Sequence, residues 1–229
     1  RTGALEELIS DVVALQLFGP SFLFALFDSS LDASLDGLPQ PPEYHPQWRY
    51  RYRFALEEFN RQRYGDLLSS LGGSDIAGVV QDACRKRVEQ IRVLTMSTAD
   101  KAMRDADEFA KRAYPLVEDV FGDVPAFVAE KVKPVVFDSG GFKAKLEDGL
   151  RRLSLGIPPA AREPRGGDFR YAILAGWCYK TARLPIPMQR PEPWTIEDDV
   201  TLGRLIHKAL EYRTTTEEYD GWKKRRDRR

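Results

Sequence analysis

The sequence predicts an all-α protein, a multi-helix globular bundle with Pro/Gly-rich corner loops. Apolar residues recur three and four positions apart through most of the chain, Gly and Pro gather between those segments, and stretches with strand character, such as Val135 to Phe137, are short. Of the 229 residues 42% are hydrophobic and 31% charged. That is enough apolar material for one large core or two small ones, and it excludes both a disordered chain and a disulfide-built miniature.

The first helix is expected from about Ala4 to Phe18, because Leu5, Leu8, Ile9, Val12, Val13 and Leu15 form one broad stripe that Gly19-Pro20 ends. Pro20 suits the first turn of a second helix, whose Phe22, Leu23, Leu26 and Phe27 make a wide apolar face up to the Ser/Asp-rich stretch near Ser29. These two helices are expected to pair as a hairpin. Pro39, Pro41, Pro42 and Pro46 make Gly37 to Pro46 an ordered connection rather than a helix. Trp48 to Leu56 alternates basic and aromatic residues as a strand would, yet Phe54, Leu56, Phe59, Tyr64, Leu67, Leu68 and Leu71 continue it at helical spacing. One long helix ending at Gly72-Gly73 is expected there. Further helices are expected from Asp75 to about Met96, Thr98 to Phe121, Pro125 to Lys131, Gly141 to Leu155, Phe169 to Arg183 and Thr195 to Tyr212. Ser97, Thr98 and Thr195 fit as caps, and Glu197 adds acidic charge to a first turn.

The loops Gly156 to Asp168 and Leu184 to Trp194 bracket one helix as corners. A boundary at Gly72-Gly73-Ser74 would divide the chain into 1–72 and 73–229, unless the two form one continuous domain. Lys223 to Arg229 is basic throughout except for Asp227 and is read as a solvated or disordered end. The chain opens on Arg1 rather than Met, within a few residues of a helical pattern, and is read as a fragment or a processed product.

Lys+Arg and Asp+Glu both number 35. With zero net charge, nothing global steers the molecule to nucleic acid or to an anionic membrane, so any charged partner must be met locally. Cys84 and Cys178 stand far apart in sequence without C-x-x-C spacing, which suits reduced thiols in a cytoplasmic protein. The most apolar stretch, Val12 to Phe27, is short for a bilayer and is interrupted by Gln16 and Gly19-Pro20-Ser21, so no membrane span and a buried helix pair are expected.

No H-E-x-x-H, G-x-x-x-x-G-K-[ST] or G-x-S-x-G occurs, and Gly140-Gly141 and Gly166-Gly167 lack the framing of a phosphate cradle. One partial set remains. Glu7 and Asp11, four apart, share a helix face, and Tyr44-His45-Pro46-Gln47 is followed by an Arg three or five positions after the Pro. This resembles the distal part of HtpX-like zincin metallopeptidases, in which a helix with E-x-x-x-D precedes a T-H-P-P-x-x-x-R-[IL] segment. The resemblance implies that Glu7 is the third zinc ligand, that Asp11 supports a neighbouring ligand or arginine, and that His45 is the histidine of the H-P segment. Asp11 and His45 are thus the catalytic candidates and Glu7 the metal candidate. It also implies that the two histidines and the glutamate base lie upstream of Arg1. Zinc is then expected only in a complete protein, and none for this chain alone. Gln47 departs from the family's second Pro. The plain reading of Glu7 and Asp11 is a pair of solvated carboxylates near a helix N-terminus, and that of His45 a loop residue beside Pro46.

The interleaved run Trp48 to Phe54, with Arg61 and Arg63, is the mixture that binds single-stranded nucleic acid when it forms one surface. On a helix it separates into a basic and an apolar face, with arginines pairing to Glu57 or Glu58, so nucleic acid is not the expected partner. His207 among Leu205, Ile206 and Leu210 is expected to be half-buried, and Tyr171, Trp177, Cys178, Tyr179 and Trp194 to be core. The acidic turn Glu197 to Asp199 is read as compensation of the helix dipole. Two functions follow: the distal, helical portion of a zinc metallopeptidase-like protein, inactive by itself, or a non-catalytic α-helical protein-interaction module. The partner is a protein, an upstream segment of the same polypeptide or, in a homo-oligomer, a second copy.

Overall fold

The computed structural model describes residues 2–30, 48–72, 75–96, 130, 137–159 and 169–226. Eight helices and no strand are found among them: α1 (Thr2–Phe18), α2 (Pro20–Ser30), α3 (Trp48–Arg61), α4 (Tyr64–Ser69), α5 (Asp75–Met96), α6 (Phe142–Ser154), α7 (Phe169–Ala182) and α8 (Ile196–Arg226). The fold is all-α, as the periodicity implies. His45 and its Pro-rich connection, the expected helix at 98–121 and, but for Glu130, that at 125–131 lie outside the described residues.

By proximity the chain groups into two compact units, Arg1–Gly65 with Lys86–Phe137, and Asp66–Arg85 with Asp138–Arg229. In the first unit α1, α2 and α3 pack on one another. Leu8, Val12 and Leu15 of α1, Leu23, Phe24 and Phe27 of α2, and Tyr52, Ala55 and Phe59 of α3 are buried, and each such Leu or Phe contributes about 2 kcal/mol. The corner between α1 and α2 is Gly19, at φ 62. A Cβ there would also meet the Phe137 ring at 2.7 Å, so both backbone and packing call for glycine. Phe137 is fixed over this corner by its backbone N–H, which donates to the Gln16 carbonyl at 2.8 Å, and by an edge-on contact with Tyr64.

In the second unit α7 packs against both α6 and α8. Gly149 lets α6 approach α7 closely, since a Cβ there would stand 2.9 Å from that of Ala175. Asp198 organises the start of α8. Its buried carboxylate accepts hydrogen bonds from the backbone N–H groups of Ile186 and Thr195, at 3.0 and 2.8 Å, and pairs with Arg190 at 2.5 Å. Thr195 stands just before the helix, and Asp198 reaches back to accept from its N–H at 2.8 Å and its hydroxyl at 3.2 Å, the return half of a capping box.

Three expectations need correction. The single helix from Trp48 to Gly72 is two, because Gln62 and Arg63 form a turn in which Arg63 adopts φ 57, a left-handed conformation that interrupts the helical ladder. The last helix does not end near Tyr212 but continues to Arg226, so Lys223 to Arg226 belong to it. His207 is exposed rather than half-buried, with 72% side-chain exposure and a 3.3 Å contact with Glu211 one turn on.

Candidate functional site

The carboxylates of α1 and the first turn of α3 meet in the first unit. Leu8, Val12 and Leu15 turn one face of α1 into the core, and Asp11 lies at the edge of that face, 3% exposed. On α3 the buried Tyr52, Ala55 and Phe59 fix the rotation of the helix, which brings Arg51 to α1. Arg51 Nε donates to Asp11 Oδ2 at 2.7 Å and Nη2 to Oδ1 at 2.8 Å. This two-pronged geometry matches a planar guanidinium to a carboxylate and is among the strongest of charged hydrogen-bond arrangements. The third nitrogen, Nη1, stands 3.7 Å from Glu7 Oε2, and the guanidinium carbon lies 4.6 Å from the centroid of the Trp48 ring. Arg51 is thus surrounded by Asp11, Glu7 and an aromatic face.

Burial pushes the Asp11 carboxyl above its ordinary value, with Arg51 pulling back against that rise and Glu7 adding to it. For Arg51, burial works against the charge, but the hydrogen bonds and negative charge of Asp11 outweigh it and hold the guanidinium protonated. The reading of Asp11 as a solvated carboxylate is therefore corrected: it is buried and engaged on both oxygens. Glu7 is the more accessible of the two, with 31% of its side chain exposed. Of the arginines that follow Pro46, Arg51, at five positions, reaches Asp11. His45 lies outside the described residues.

As a metal centre the arrangement is incomplete. No group of three or more His, Cys, Asp or Glu able to hold a metal ion is found among the described residues. Asp11 is taken up by Arg51, which leaves Glu7 as a single carboxylate where zinc needs three protein ligands. The described residues alone do not make a zinc site.

Two further arginines of α3 pair as the helical reading expects: Arg53 with Glu57 at 3.3 Å and Arg61 with Glu58 at 2.5 Å. Glu58 is itself buried and also accepts hydrogen bonds from the Gln16 and Gln62 amides. In the second unit, Cys84 of α5 and Cys178 of α7 are both buried and meet. A hydrogen bond to Cys84 that favours the protonated thiol, together with burial, holds Cys178 well above its ordinary value, which makes it a poor nucleophile. Sequence spacing carried no signal for this meeting. Nor did it identify Asp198 as a buried hub, since an acid in a helix first turn reads as dipole compensation alone.

No family model, curated protein or solved structure matches the chain. Among the described residues no helix is long and apolar enough to cross a membrane.

Proposed function

We propose that this chain is the helical distal portion of a zinc metallopeptidase-like protein of the HtpX-like sort, with Glu7 as one zinc ligand and with no catalytic power of its own. The observation that carries this reading is the two-pronged Asp11–Arg51 pair, with Glu7 one turn along the same helix face. Arg51 stands five positions after Pro46, which is where the T-H-P-P-x-x-x-R pattern has its arginine. The pairing accounts for an E-x-x-x-D helix and a downstream arginine as one device. Asp11 and Arg51 lock α3 onto α1, and the lock restrains Glu7 in rotation and height. A carboxylate held in this way loses less entropy on joining a metal than one on a mobile side chain. The remaining ligands and the general base would come from an H-E-x-x-H helix, in the same polypeptide or in a partner.

The test is hydrolysis of unfolded casein by the natural gene product, compared with its Glu7→Gln variant. Loss of hydrolysis and of metal affinity with unchanged helicity is expected. Full activity in the variant would overturn the assignment of Glu7. Absence of any hydrolysis by the natural protein would favour the non-catalytic interaction module instead.

A further inference from the structure

The fully buried positions of α8 end at Ala209, while the helix runs on to Arg226. One line of residues along it, reached from Arg204 in steps of four, four, three, four, three and four, comprises Arg204, Lys208, Tyr212, Thr215, Tyr219, Trp222 and Arg226. At roughly 3.6 residues per turn these positions fall within about 100° of the helix circumference, along about 33 Å of its length. All of them are exposed, Tyr212 at 61%, Tyr219 at 60% and Trp222 at 48%. The acidic residues of this stretch, Glu211, Glu217, Glu218 and Asp220, fall outside the stripe. Cations and π-faces therefore share one surface, with Glu211 and Glu218 along one edge of it, in a chain whose net charge is zero.

We propose that this stripe of α8 binds single-stranded nucleic acid, its rings stacking bases and Arg204, Lys208 and Arg226 meeting phosphates. Tyr219 and Trp222 stand 5.9 Å apart with their rings tilted by 32°, and the Arg226 guanidinium lies 5.1 Å from the Trp222 centroid. A cation and two rings thus converge at one end of the stripe. The shape of the surface selects the ligand. A planar anionic membrane would contact about half the helix circumference and bring Glu211 and Glu218 against its own charge, whereas a single strand is narrower and can lie on the Tyr212 and Tyr219 side of the stripe, away from them. On α3 the arginines Arg51, Arg53 and Arg61 are paired with carboxylates, which makes the arginine-aromatic run there a poor nucleic-acid surface.

The test is fluorescence anisotropy of a labelled oligo-dT 15-mer with the full chain. Saturable binding is expected at about 50 mM salt, weakening roughly tenfold or more by about 200 mM. Tyr219→Ala with Trp222→Ala should weaken it roughly tenfold or more. Tyr219→Phe with Trp222→Phe keeps both π-faces and should stay within about threefold of the parent, which separates stacking from a change in folding. Circular dichroism checks that all variants keep their helix content. No binding at low salt would overturn the proposal. So would equal binding by the ring-free variant, which would indicate charge alone, or retention on phosphatidylserine vesicles without affinity for the oligonucleotide.

Discussion

Arg51 does two things that are separable by mutation: it neutralises a buried carboxylate, and it ties α3 to α1. Its replacement in Arg51→Met leaves Asp11 buried without its cation, and removing one partner of such a pair costs about 3 kcal/mol. Urea unfolding should show that loss at neutral pH. The double variant Asp11→Asn with Arg51→Met should lose less than the two single variants summed, since the second change removes the charge that the first left stranded. The pH dependence has a defined sign. Asp11 has its folded value raised by burial, so its contribution to stability is fully present below the ordinary carboxylate value and declines as pH rises through the raised one. The penalty of Arg51→Met should accordingly shrink on acidification, as a neutral carboxyl tolerates the site; a penalty that grew towards acid would contradict this account. Asp198 behaves oppositely. Burial raises its value, but the backbone N–H groups, Arg190 and Thr195 together outweigh burial and hold it below the ordinary carboxylate value. Its contribution is present above that value and is lost as pH falls through the lowered one. At Gly19, where φ is 62 and Phe137 occupies the space of a Cβ, Gly19→Ala should cost about 2 kcal/mol or more in the same unfolding measurement.

Elements were legible where a stripe of apolar residues met a strong stop. Helix is found throughout Asp75–Met96, the span its spacing predicts, and α2 begins at Pro20 as a helix with proline in its first turn does. The break between α3 and α4 was not legible, because it depends on an arginine at positive φ, with no glycine or proline to announce it. The length of α8 escaped for the opposite reason. Gly203, Gly221 and Thr214-Thr215-Thr216 resemble terminators, yet a helix one face of which is already packed continues through weak formers by adding one hydrogen bond per residue. In the candidate site, the spacing of Glu7 and Asp11 was visible in sequence. An arginine partner for Asp11 was implied only by the family resemblance, and that it is Arg51 was not legible, because it requires the rotation of α3 that Tyr52, Ala55 and Phe59 impose. Since the buried residues of α8 stop at Ala209, amide hydrogen exchange should be slow from Leu202 to Ala209 and faster by at least tenfold from Thr214 to Arg226. Uniform protection along α8 would mean that its distal half is covered.

At the scale of the whole molecule, each unit carries a surface with its own chemistry: a braced pair of carboxylates on α1 in the first, and a cationic and aromatic stripe on α8 in the second. In the proposed reading the first is half of a device: its rigid part, Asp11 with Arg51, is complete, while Glu7 would be a ligand that needs others. That incompleteness makes metal content the decisive quantity, because zinc is bound only if the missing imidazoles are supplied to the same place. The most direct measurement is zinc per chain, by elemental analysis, in the protein purified at its natural length and in its Glu7→Gln variant. The account predicts near-stoichiometric zinc in the first and its loss in the second; a metal-free natural protein, or zinc unchanged by the substitution, would contradict it.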